Sequence, residues 1–152
     1  MMAAPTFADV AEHVREQVGY RLFTVLGWVP ERRVLRRLWS SNAEAYAIGG
    51  EKAGEVDAAW LDARVADQRP FLGADLAAVR TAFHDHTLIE SLGCGAVLNT
   101  TVVDDDGRSL AVLSVLDAEG AYDQRSLTRL VGLTPTLLPA VRQATTHQHW
   151  GV

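Results

Sequence analysis

The chain predicts an α+β fold, with one antiparallel sheet carrying helices on both faces. Three observations lead there. Apolar residues recur at helical spacing near both ends of the chain. Two pairs of aromatic and β-branched runs are each joined by a short turn, which reads as two hairpins. Between the hairpins lie helical segments and one very short strand. The resulting order is helix, two strands, helical connection, short strand, helix, two strands, helix. It places the terminal helices on one face of the sheet and the middle segments over the other.

Each element has its own warrant. Phe7, Val10, Ala11, Val14 and Val18 form the apolar stripe of a first helix, with Asp9, Glu12, Arg15 and Glu16 between them, stopped near Gly19. Residues 20–29 and 33–39 read as strands about the Pro30-Glu31 turn. Residues 40–54, with Gly49-Gly50, read as a loop with at most a helical turn. Residues 56–68 read as a helix, ended by Arg69-Pro70 because a residue before proline avoids the helical region. Residues 70–72 give a very short strand and residues 75–83 a loose helical turn. A short helix over 85–92, capped by Asp85, precedes strands at 94–103 and 110–116 about the turn 104–107. A loop at 117–120 leads to a final helix from Tyr122, which Pro135 and Pro139 must kink or split. The core is expected over residues 7–144, with 145–152 a frayed tail, and the whole chain forms a single domain.

The 152 residues carry 48% hydrophobic and 22% charged side chains and a net charge of -5, as expected of one domain with a real core. No nucleic-acid footprint is expected, since that needs a concentrated basic patch. The one basic cluster, Arg32-Arg33 with Arg36-Arg37, reads as the solvent side of a strand. Cys94 is the only cysteine, so no internal disulfide or multi-cysteine zinc site is expected. Residues 1–6 lack a signal-peptide pattern, and no apolar run approaches the roughly 20 residues that span a bilayer. The expectation is a cytoplasmic protein without membrane partners.

Leu92-Gly93-Cys94, Leu98-Asn99, Val102-Val103, Gly107 and the run 110–117 resemble the second half of a GAF domain. The resemblance extends over about residues 14–141 and is most specific at 83–117. It implies the GAF-like (PAS/profilin-like) arrangement, with a ligand-pocket face covered by loops and short helices. It also implies a small-molecule sensor or a dimerising module, paired through the terminal helices.

A hairpin register with Val103 opposite Arg108 sets Asn99 opposite Val112 and Val97 opposite Ser114. One face then carries Val97, Asn99, Thr101, Val112 and Ser114, and the other Leu98, Val102, Leu113 and Val115. The apolar face should meet the terminal helices. The mixed face has the composition of a small-molecule site, mostly apolar with a few polar groups. Asn99, Thr101 and Ser114 are therefore candidate ligand groups, with local backbone bonding as the alternative for Asn99 and Ser114. Trp39, Tyr46, Trp60 and Phe71 flank the covering segments, either walling a ligand or packing the core. Ser41, within Ser40-Ser41-Asn42, either bonds a ligand or belongs to a turn. Glu51 and Lys52 read as exposed loop charges.

His84-Asp85-His86 suggests a metal, but neighbouring side chains diverge and zinc wants three or four ligands. The tail pair His147 and His149 is a weaker candidate. Cys94 reads as a small apolar residue at a strand start. Free methionine-R-sulfoxide reductases share the implied fold but use several cysteines, and this chain has one. The cyclic-nucleotide and tetrapyrrole signatures of the family are not recognisable. The expected function is a non-catalytic sensor whose ligand and cofactor stay unidentified, signalling through a separate output protein. The alternatives are a dimerisation or scaffold module without ligand, and a reductase-like enzyme using Cys94 with His84 or His86.

Overall fold

A computed structural model describes residues 4–46, 48–52, 58–83 and 85–148, excluding the side chains of 51, 52 and 146–148. The expected elements are present as α1 (Phe7–Gln17), β1 (Leu22–Val29), β2 (Val34–Ser40), α2 (Ala58–Val65), β4 (Phe71–Gly73), α3 (Leu76–Ala82), α4 (His86–Ser91), β5 (Ala96–Val103) and β6 (Ser109–Asp117). The last helix is split at its prolines into α5 (Gln124–Leu133), a 3-10 turn (Thr134–Leu137) and α6 (Leu138–Gln148). One strand was not expected: β3 (Glu51–Lys52), inside the segment read as a loop. It is only two residues long and pairs with Leu35 and Arg36, so no period could reveal it.

The six strands form one sheet in the order β3-β2-β1-β6-β5-β4, antiparallel throughout. Side-chain alternation separates two cores. On one face Phe23, Val25, Leu98, Leu113 and Val115 pack against Val10, Val14, Leu127, Leu130 and Val141 of the terminal helices. On the other face Leu22, Leu26, Val97, Val112 and Leu116 pack under α2, α3 and α4, through Trp60, Leu61, Val79 and Ile89.

Local chemistry fixes the helix ends. Thr6 and Asp9 form a reciprocal capping box at α1: Thr6 Oγ1 accepts from the Asp9 amide at 3.1 Å and Asp9 Oδ2 from the Thr6 amide at 2.9 Å. Asp75 caps α3, its Oδ1 accepting from the Ala78 amide at 2.9 Å, which makes the expected loose turn a proper helix. Gly93, at φ +80°, closes α4, and a Cβ there would lie 2.1 Å from Arg21 Nη1.

Several expectations are corrected. Asp85 sits at the N-terminus of α4 but makes no side-chain cap; its carboxylate accepts from Tyr46 instead. Residues 145–148 continue α6 rather than fraying, while 149–152, with His149, lie outside the described residues, as do His84 and residues 53–57. The β5–β6 register is offset by two residues, with Asn99 opposite Ser114 and Thr101 opposite Val112, because an irregularity between Val102 and Val103 absorbs the difference. An offset of two keeps every side chain on its expected face.

The apolar stripes of α1 and α5 are consumed by the sheet. Among the described residues of these helices the one large apolar side chain left exposed is Val131, at 43%. No helix among the described residues is long and apolar enough to cross a membrane.

Candidate functional site

The site is built on the inner sheet face. Thr24 on β1 lies opposite Ser114 on β6, and Ser114 lies opposite Asn99 on β5. All three are buried, Asn99 completely at 0% exposure. Asn99 Nδ2 donates to Ser114 Oγ at 2.6 Å, while Asn99 Oδ1 is sealed from solvent with no hydrogen-bond partner. Turning the amide over would leave its nitrogen unmatched instead, so one polar atom of Asn99 is unsatisfied either way.

Arg37 reaches the same face from β2 and is buried. This corrects the reading of the basic cluster as wholly solvent-facing: Arg32 and Arg33 are exposed, but Arg37 pairs with inward-facing Leu26. Its guanidinium lies 4.7 Å from the centre of the Tyr46 ring. The Tyr46 hydroxyl donates to Asp85 Oδ2 at 2.9 Å. Burial, followed by the nearby Asp85 charge, pushes the Tyr46 pKa well above its ordinary value, so Tyr46 stays a neutral donor.

Trp60 and Phe83 close the site, their rings edge to face at 5.3 Å, with Ile89 beside them. The space between lid and sheet is about 20 Å³, room for roughly one water. Small-molecule pockets run to several hundred Å³. The site is therefore closed on its own side chains.

The sequence-predicted residues divide. Tyr46, Trp60 and Ser114 line this cavity, and Asn99 bonds to Ser114 behind it. Phe71 lies opposite Asn99 on β4 and faces a separate outer groove. Thr101 Oγ1 donates to the Arg64 carbonyl at 2.7 Å, tying α2 to the sheet. Ser41 Oγ accepts from the Phe23 amide at 2.9 Å, and Asn42 Oδ1 from the Ala45 amide at 3.2 Å, so this segment serves a turn.

Trp39 is on the other face, stacked with Phe7 and edge-on to Phe23. The cause is a bulge: Val25 pairs with Trp39 but Leu26 with Arg37, leaving Leu38 as the extra residue. Strict alternation from Leu35 would have put Trp39 over the pocket. The same count from Leu35 places Arg37 inward, and that was the signal that could have found it. Thr24 was legible on the same principle.

Cys94 is buried just before β5. Burial, with the Asp117 charge second, pushes its thiol up to about 11. His86 Nδ1 lies 3.1 Å from Glu90 Oε2, and Glu90 also accepts from Arg80 Nη2 at 2.6 Å. Among the described residues no group of three or more histidines, cysteines and carboxylates is placed to hold a metal.

No family model matches the sequence, and no curated protein matches it. Solved structures do. The GAF domain of a two-component sensor histidine kinase from Bacillus halodurans superposes with a TM-score of 0.68 at 14% identity, over 96% of this chain and 99% of that one. A GAF domain/HD domain protein from Geobacter sulfurreducens gives 0.71 at 12% identity, over 91% of each chain. A far-red absorbing protein in its dark state, with bound biliverdin, gives 0.62 at 15% identity, over 88% and 85%. The chain has the fold of a GAF domain.

Proposed function

We propose that this chain is a non-catalytic, cytoplasmic regulatory module that senses a small polar molecule on the inner face of its sheet. The observation that carries this reading is the set of buried polar groups there. Thr24, Arg37, Asn99 and Ser114 lie where packing alone would favour apolar side chains, and Asn99 retains an unsatisfied atom. Such groups cost stability unless something else selects them. Biliverdin in a structural neighbour is consistent with small-molecule binding on this fold. A ligand larger than a water needs Trp60 of α2, Phe83 after α3 and Ile89 of α4 to move outward, and the movement is itself a signal that an output protein can read.

The size of the cavity favours a second reading, a dimerisation or scaffold module whose pocket is filled by its own side chains. Native mass spectrometry beside a denatured run separates the two. Extra mass that disappears on denaturation supports sensing, and its value narrows the ligand class. A dimer without added mass supports the scaffold. A monomer without added mass rejects pairing through the terminal helices. Where a ligand is found, Asn99→Leu is expected to weaken its binding more than it weakens folding. Equal losses would assign Asn99 to structure.

A further inference from the structure

A second recess lies outside the lid and shares only Trp60 with the inner cavity. It is a groove of about 570 Å³ between α2 and α3, floored by Phe71 and walled on one side by Trp60. Its walls are otherwise largely alanine, including Ala59 and Ala63 from α2 and Ala77 and Ala78 from α3. Small side chains on two facing helices leave the trough open. Its volume falls in the range of small-molecule sites.

Arg64 lines this groove and is only 6% exposed. Burying a guanidinium is expensive unless it is paired with an anion. Arg64 has no carboxylate partner among the described residues. Its Nε donates to the Trp60 carbonyl at 3.3 Å and its Nη1 to the Arg69 carbonyl at 2.7 Å. Nη2 donates to no group among the described residues, and a guanidinium has five N–H donors to place. Its faces are held over Trp60 and Phe71, at 5.7 and 5.2 Å from the ring centres. Desolvation, then the charge of Arg69, lowers its pKa from the ordinary value, with the Asp67 charge opposing them. The second charged residue on the wall is also an arginine, Arg69, and no acidic residue lines the groove. Arg69 is ion-paired with Asp67 at 3.5 Å, so of the two arginines Arg64 is the one without a carboxylate partner among the described residues.

We propose that the groove between α2 and α3 binds a small organic carboxylate, its anionic head on the free donors of Arg64 and its apolar body between Trp60, Phe71 and the alanines. A planar fork matches a carboxylate in two parallel hydrogen bonds. The aromatic rings already fix the guanidinium, so little rotamer freedom is lost on binding.

The test is calorimetric titration with a series of straight-chain and phenyl-terminated carboxylates, 4-phenylbutyrate among them, and with 4-phenylbutanamide as the neutral control. Wild type is expected to bind at least one acid saturably, and the amide about tenfold or more weaker. Arg64→Met should remove the preference for acid over amide. Ala77→Leu, at an exposed position that leaves folding intact, should weaken acid and amide alike by filling the trough. No saturable binding by any acid of the series overturns the proposal. So does equal affinity for acid and amide, or binding that Ala77→Leu leaves unchanged. If Arg64→Met does not fold, the amide control and Ala77→Leu still decide. Thr24→Val, in the inner cavity, should leave these titrations unchanged, which keeps this site distinct from the inner one.

Discussion

At the scale of single residues, buried hydroxyls and amides define what can be tested. Thr134 Oγ1 donates to the Leu130 carbonyl at 2.7 Å and lies 2.7 Å from Thr100 Oγ1. A hydroxyl has one hydrogen, so Thr100 must be the donor to Thr134. Thr134→Val is therefore expected to orphan Thr100 and cost about 1–3 kcal/mol. Adding Thr100→Val should recover most of that loss, as read by urea denaturation of both single variants and the double. Cys94 makes a second residue-scale prediction. A buried thiol raised to about 11 presents little thiolate near neutral pH. Iodoacetamide at pH 7.5 should modify the folded protein far more slowly than the urea-unfolded chain; equal rates would contradict the burial.

At the scale of elements, close approach decides more than propensity does. β4 is three residues long, yet it carries the edge of the sheet and the floor of the outer groove. It fits because Gly73 has no side chain. A Cβ there would lie 2.9 Å from Val97 Cγ1 and 3.1 Å from the Phe71 ring. Gly73→Ala is expected to destabilise by about 1–3 kcal/mol through overpacking, measured by the denaturation midpoint. The same lesson appears in β2, where one extra residue at Leu38 sends Trp39 to the terminal helices and leaves Arg37 over the pocket. The prolines act as their chemistry requires. Pro135 falls in the 3-10 turn and Pro139 in the first turn of α6, where a missing amide donor is tolerated.

Across the whole molecule, the charges give a pH dependence with a definite sign. Backbone hydrogen bonds, joined by side-chain bonds at Asp9 and Asp123, hold the pKa of Asp9, Asp104 and Asp123 below 3.8, and the Arg80 contact holds that of Glu90 below 4.5. Because these folded-state values lie below the unfolded ones, the unfolded chain takes up protons first as pH falls. Their stabilisation is complete above the unfolded values and is lost as pH drops through the lowered ones. Thermal midpoints should be flat with respect to these groups near neutral pH and fall below about pH 4.5. Asp104→Asn should shallow that acid limb, and an unchanged slope would remove Asp104 from the account.

The sequence by itself determined the order of the elements apart from β3, the faces of β5 and β6 and the GAF resemblance, because these follow from periods of two and 3.6 and from turn chemistry in adjacent residues. Asn99 and Ser114 were legible as neighbours on one face for that reason, and a register offset of two could not disturb them, whereas Tyr46 and Trp60 entered as aromatic residues of the covering segments. The tertiary structure decided what depends on contacts distant in sequence. The bulge at Leu38, the pairing of β3 and the collapse of the inner cavity to about 20 Å³ are such features. So is the burial of Arg64, which needs Phe71 on β4 and Trp60 on its own helix to meet around one guanidinium. Charged residues read as solvent-facing from sequence because burying a charge is costly. Only the packed chain shows where that cost is accepted, and so where a ligand has most to offer.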